Sequence, residues 1–235
     1  MSISQFIRMA PRLAKYNIKI IFAGKFIWFI LAALIFLLFF IFQTAWNRNE
    51  ITEEVIYSLF IFPSMLLVFY PSVFGIQNDE DARILELLFG IPNYKYKVWA
   101  VRLLIIYIAI FFILILFSYI TTILLYPVNS LEMSFHLMFP ILFYGNLAFM
   151  FSTVTRSGNG TAVIMIVIAV AVLIFQNDGN KYWNILLNPF AVQRDILPII
   201  WEEIILKNRI LLFVGSIIWM MIGLMNLQKR EKFLG

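Results

Sequence analysis

The stretch 103–126, LLIIYIAIFFILILFSYITTILLY, decides what kind of molecule this is, because its twenty-four residues pass without a charge, a glycine or a proline. At 1.5 Å per residue such a helix is about 36 Å long, enough to cross a hydrocarbon core of roughly 30 Å. A helix on a soluble domain would carry a charged stripe, and this one carries none. Strands of an outer-membrane barrel are excluded as well, since those alternate apolar and polar residues over about 10 positions.

Five further stretches read the same way. With the first they give six spans at 26–44, 55–76, 103–126, 135–154, 157–176 and 210–227. The whole chain agrees: 235 residues are 63% hydrophobic and 13% charged, against roughly 45–50% and about 25% in soluble domains. The fold class is therefore an all-α polytopic membrane protein, a single transmembrane domain over 1–235 with six transmembrane helices. The first span is too long for a cleavable signal peptide and no small-x-small site follows it, so it is expected to stay in the mature protein.

Charge placement orients the chain. Of the 18 Lys and Arg, thirteen fall before the first span, in the loops after the second and fourth spans, and in the tail; five (Arg48, Lys181, Arg194, Lys207 and Arg209) fall on the other side. Excess positive charge stays cytoplasmic. The chain is thus expected in the plasma (inner) membrane, multi-pass, with both termini cytoplasmic. The +5 net charge then reports topology, and no basic stripe interleaved with exposed aromatics suggests nucleic acid as a partner.

Outside the spans, three segments carry pattern. In 1–25, Arg8, Arg12, Lys15 and Lys19 share one helical face, which predicts an interfacial amphipathic helix lying among membrane lipid headgroups. The loop 77–102 opens on Asp79-Glu80-Asp81, continues Ala82-Arg83-Ile84-Leu85-Glu86-Leu87-Leu88 and stops at Gly90-Ile91-Pro92, the punctuation of a short amphipathic helix within 79–92. Its apolar side needs cover, from this chain's own helix ends or from the groove of a partner. The outer loop 177–209 is aromatic and divided by Asn188-Pro189-Phe190 and Pro198, which predicts two short helices or a re-entrant hairpin.

Catalytic and nucleotide-binding chemistry is missing from the residues. Gly24-Lys25 is followed by Phe26, so there is no phosphate loop, and the Gly158-Asn159-Gly160 turn lacks its lysine. A chain with no Cys and the single histidine His136 holds no zinc, haem-thiolate or iron–sulfur site by itself, so no metal or cofactor is expected on this chain. No Gly-x-Ser-x-Gly sequence accompanies His136, and Glu202-Glu203 with Arg209 departs from the Glu-Glu-x-x-x-Arg spacing of membrane-embedded prenyl-protein proteases. Charges inside the spans are not expected either. Ser118, Thr121, Thr122, Asn146, Ser152 and Ser216 are expected to bond to their own backbone or a neighbouring helix.

At 77–102 the sequence resembles the type-2 ATP-binding-cassette (ABC) permeases, six-span exporter subunits with both termini inside. The match runs through Asp79, Glu80, Arg83, Leu85, Glu86, Leu87, Leu88, Pro92, Lys95 and Lys97, with Arg83-Ile84 where the family often has Gly-Thr. It extends to the N-terminal helix, to Arg156-Ser157-Gly158 and to Leu187-Asn188-Pro189-Phe190. The resemblance implies that 79–92 forms a cytoplasmic coupling helix seated on a cytosolic ABC ATPase through Asp79, Glu80, Arg83, Glu86, Leu87, Leu88 and Pro92. It implies two ATPase subunits per complex, which use ATP and Mg, and a second permease subunit, identical or related. Asn188, Pro189 and Phe190 become the candidate outer-loop gate. The expected activity is export of a lipid, peptide, antibiotic or other amphipathic substrate, with no catalysis by this chain. Two alternatives stand beside it: an accessory or assembly protein that recruits an ATPase without a transport route, and a membrane enzyme using the outer loop.

Overall fold

The computed structural model describes residues 25–46, 50–81, 95–175, 181–191 and 196–227. They form seven α-helices: α1 Phe26–Trp46, α2 Glu53–Val73, α3 Gly75–Asp81, α4 Val101–Leu124, α5 Ser130–Thr155, α6 Gly158–Phe175 and α7 Pro198–Asn226. A π-helical turn, Lys95–Ala100, leads into α4, and a 3₁₀ turn, Lys181–Trp183, precedes α7. No strand occurs among the described residues. Six of the helices, all but α3, are long and apolar enough to cross a bilayer. The chain is an all-α, multi-pass membrane protein.

Local sequence sets the helix ends. Thr52 caps α2, its hydroxyl accepting from Val55 N at 3.4 Å, and Glu53 and Glu54 place negative charge on the first turn. Asn129 does the same for α5, accepting from Glu132 N. At the other end of α5, Arg156 takes a left-handed conformation (φ 55°) and turns the chain through Ser157 into α6 within two residues. Pro63 and Pro71 inside α2 and Pro140 inside α5 each remove one backbone donor, a pattern tolerated in membrane helices where neighbours pack around the break.

The largest difference from the sequence expectation lies in α7. The span expected at 210–227 begins twelve residues earlier, at Pro198, so the last third or so of the expected outer loop is regular helix. Pro198 occupies the first helical turn, where its missing N–H costs nothing, and therefore starts a helix instead of dividing a loop. Of the expected two short helices or re-entrant hairpin, the 3₁₀ turn and a chain of tight turns over 184–190 are present. The interfacial helix expected in 1–25, with Arg8, Arg12, Lys15 and Lys19, lies outside the described residues.

The core sits on α5. Of its most apolar stretch 61% is buried, against 22% for α1 and 17% for α6, so α5 is the central post and those two lie at the edge. Alpha-helices in lipid gain little from apolar burial alone, because acyl chains are as apolar as Leu. Close approach and polar contacts must supply the cohesion, and both are found at one level of α5. A Cβ on Gly145 would come within 2.6 Å of Val68 Cγ2 and 2.7 Å of Tyr107 Oη, so only glycine lets α2 and α4 come this close. Next to it, Tyr107 Oη donates to Asn146 Oδ1 (2.8 Å), Asn146 Nδ2 donates to Ser216 Oγ (2.7 Å), and Ser216 Oγ donates to Leu142 O (3.1 Å). Three spans, α4, α5 and α7, are tied through one asparagine. Lower on α7, Gly223 faces Phe149 in the same manner.

Two of the remaining intramembrane hydroxyls close on their own helix, Thr121 on Phe117 O and Ser152 on Phe149 O, and Thr122 donates to Val128 O in the turn that follows α4. Ser118 Oγ has no partner among the described residues. Two charges are buried among the described residues, each next to the end of an expected span: Arg102, stacked 4.8 Å over Trp99, and Arg209 in α7.

The Asn146 clamp gives a stability prediction. Asn146→Leu is expected to lower the unfolding free energy in detergent by about 1–2 kcal/mol, since the pair of interhelix bonds is lost while volume is kept. Gly145→Leu is expected to cost more, through overpacking against Val68 and Tyr107. Equal melting temperatures for wild type and both variants would falsify the clamp.

Candidate functional site

A cavity of about 1030 Å³ lies between α2, α5 and α6, with Phe29 of α1 at its edge and residues 181–191 across one end. Its size is at the upper end of ordinary ligand cavities. The reason it exists is the uneven fastening of α6. The fully buried residues of that helix are Gly158, Thr161 and Met165, all in its first half, while Val170, Leu173, Ile174 and Phe175 are half exposed or more. Beyond Met165 the helix faces the cavity and has little to pack on.

The fastened end of α6 is bonded closely. Gly158 N donates to Gln77 Oε1 of α3 at 2.6 Å, so a side chain of the short helix caps the N-terminus of the span. Thr155 and Thr161 share a 2.7 Å hydroxyl bond across the turn, and Thr161 Oγ1 also donates to Ser157 O. Asn78 Nδ2 donates to Tyr70 Oη, which fixes α3 to α2. Any displacement of α3 is therefore delivered both to α2 and to α6, the two facing walls of the cavity.

The interior is apolar over most of its length. Met65, Leu66 and Phe69 of α2 face Met165, Ile166, Ala169 and Leu173 of α6, above a floor of Tyr144, Gly145 and Ala148 from α5. Polarity is confined to the end covered by 181–191, where Glu54, Ser58, Lys181, Asn184 and Asn188 line the wall. An apolar channel with a polar end matches an amphipathic molecule. It does not match a small ion, which would need several charged or carbonyl ligands converging at one point.

The covering segment is stapled down through Asn188. Its Nδ2 donates to Glu54 O (2.8 Å) and Ser58 Oγ (3.2 Å), and its Oδ1 accepts from Phe190 N (3.0 Å). Pro189 O accepts from Trp201 Nε1 at 3.3 Å, and the Phe190 ring packs against Tyr57 (5.8 Å) and His136 (5.6 Å). The three residues expected to gate the outer loop are thus brought together as an anchor that binds the segment to α2, α5 and α7. Leu187 joins Trp201 and Ile204 in a separate small apolar cluster beneath it.

Asp79 and Glu80 fall in the last turn of α3, and Arg83, Glu86, Leu87, Leu88 and Pro92 lie outside the described residues. Ala33 of α1 is fully buried against this chain's own core, and Ala169 of α6 lines the cavity.

Two positions were missed by reading the sequence. Asn208 Nδ2 donates to Tyr182 O (3.0 Å) and Asn184 O (2.9 Å), and Arg209 Nη2 donates to Leu187 O (3.0 Å) and Tyr57 Oη (3.3 Å). Arg209 Nη1 donates to Asn208 Oδ1 at 3.2 Å. Both are buried, and together they hold the 181–187 backbone from below. The available signal was Leu197-Pro198 as a helix start, which places Asn208 and Arg209 inside a continuous helix and not in a loop.

The staple makes a local prediction. Asn188→Ala is expected to raise hydrogen exchange of the 184–191 amides by about ten- to a hundredfold, corresponding to the ~1–3 kcal/mol of part-buried hydrogen bonding that it removes. Exchange at α4 amides should not change; a uniform rise across the chain, or none at 184–191, would contradict the staple. Comparison with family models, curated proteins and solved structures returns no match for this chain, so its function rests on the geometry above.

Proposed function

We propose that this chain is the membrane-spanning permease subunit of an ABC-type exporter, moving an amphipathic substrate such as a lipid, peptide or antibiotic. The observation that carries the reading is the 1030 Å³ cavity whose α6 wall is bonded, through Gly158 and Gln77, to the helix that leads into residues 79–92. An amphipathic molecule fits its apolar length and polar end. In this reading the chain lies in the plasma membrane with both termini and α3 on the cytoplasmic side, and the substrate's polar group faces the 181–191 end, outward.

The mechanism follows from what is fastened and what is not. The chain has no phosphate loop, so energy comes from two cytosolic ATPase subunits that hydrolyse ATP with Mg and seat on 79–92 through Asp79, Glu80, Arg83, Glu86, Leu87, Leu88 and Pro92. Their closure pushes on α3. Because Gln77 caps α6 and Asn78 holds α2, the push alters the separation of the two cavity walls as rigid bodies, a small shear of packed helices. A wide cavity accepts the apolar tail, and a narrowed one disfavours it, which shifts the bound population toward release. Much of α6 and α1 is left uncovered by the described residues, and a second permease subunit is the natural cover.

The test uses inverted membrane vesicles. A phosphate-loop ATPase should co-purify with the wild type, and ATP should drive uptake of a fluorescent amphiphile. Ala169→Trp, which fills the cavity, is expected to reduce that uptake about tenfold or more while the ATPase still co-purifies. Glu86→Lys should release the ATPase. If no ATPase associates, or if Ala169→Trp transports like wild type, the permease reading fails.

A further inference from the structure

A second cavity, about 580 Å³, lies on the other side of the 189–190 turn, between the first halves of α5 and α7. Arg209 forms part of its wall and is only 4% exposed. Its hydrogen-bond partners are neutral: a carbonyl, an amide oxygen and a phenol. Its Nε has no partner, and no carboxylate lies within ion-pairing distance of it among the described residues. The neighbouring His136 lines the same cavity and also has an unpartnered ring nitrogen, Nδ1. A buried guanidinium without a counter-ion is a costly arrangement that marks function more often than packing.

The surroundings say what the missing anion is. Helix α7 has 29 residues, and counting about 20 residues back from Asn226 puts the hydrocarbon boundary near position 207. Arg209 therefore sits within a turn of the level where lipid phosphates lie. The cavity is open sideways, toward the bilayer: Phe135 (55% exposed), Ile210 (53%) and Phe213 (48%) form an apolar flank that an acyl chain would cover. Toward water the rim carries Glu132 and Glu202, both exposed, where solvent screens their charge.

We propose that this cavity binds the phosphate headgroup of an anionic bilayer lipid, with Arg209 as its counter-ion and His136 as a second polar contact. The lipid enters laterally and completes the charge balance that the described residues leave open. It also touches Phe190 and Pro189, so its presence stiffens the anchor of the 181–191 segment. This inference does not depend on the transport reading.

Native mass spectrometry of the full chain, purified with equal phosphatidylglycerol and phosphatidylcholine, tests it. Wild type is expected to retain one phosphatidylglycerol at least about tenfold over phosphatidylcholine, as for a charge-assisted contact of at least ~1.4 kcal/mol. Arg209→Gln should abolish the preference. Because that change also removes bonds to Tyr57 and Leu187, Ile210→Trp serves as the second variant: it fills the flank, leaves Arg209 intact, and should reduce retention of both lipids about tenfold. Equal retention of the two lipids by wild type overturns the proposal. So does unchanged phosphatidylglycerol retention in Ile210→Trp. Displacement of the lipid by millimolar inorganic phosphate assigns the site to a free anion and overturns the lipid source.

Discussion

Asn146 is the point on which the bundle depends. In a bilayer the helices are not driven together by exclusion from water, so register and spacing must come from contacts that lipid cannot imitate. One side chain, placed on the central span and flanked by a glycine, supplies them to α4 and α7 at once. The two helices bonded to it, α4 and α7, bury 39% and 33% of their most apolar stretch. Those remote from it, α1 and α6, expose most of their surface. The division between a fixed frame and movable edges follows from where the few polar groups of an apolar chain have been placed.

The cavity is the consequence of that division. Helix α6 is attached at its Gly158 end and by neighbouring residues, with hydroxyl, amide and carbonyl partners that are satisfied locally. Its other end meets the covering segment, which packs on it through Ile185 and Leu186 and is hydrogen-bonded to α2 and α7. A rod held by hydrogen bonds at one end and by apolar contacts along the rest pivots at the bonded end. The free energy needed to change the width of the cavity is then mostly the free energy of rearranging apolar contacts with lipid or ligand, which is small in a medium that resembles the protein interior.

Much of this was legible in the sequence, for an identifiable reason. Long charge-free runs are an unambiguous physical signal, and the six spanning helices coincide with them, the ends of the first five within about five residues. The start of α7 was not legible in the same way, because Trp201-Glu202-Glu203 and Lys207 to Arg209 break the hydropathy without breaking the helix. Hydropathy measures compatibility with lipid, whereas helix continuity depends on backbone geometry that Pro198 favours. Asn188, Pro189 and Phe190 drew notice as a motif, but their bonding to Glu54, Trp201 and Tyr57 is a long-range matter. The cavity was invisible for the same reason: it is bounded by residues more than one hundred positions apart, and no local pattern encodes a space. The residues expected to engage an ATPase sit mostly beyond those described.

The length of α7 has a mechanical meaning. At about 43 Å it exceeds the hydrocarbon thickness by some 13 Å, so its first turns stand above the bilayer as a rigid post. The 181–191 segment is hung on that post through Asn208 and Trp201. Its height over the membrane is therefore set by a ruler of backbone hydrogen bonds and not by a flexible linker. A thicker bilayer would submerge Lys207 and its partner Glu203, and a thinner one would lift Arg209 toward water. Membrane thickness thus becomes a thermodynamic variable that acts directly on the cover of the cavity.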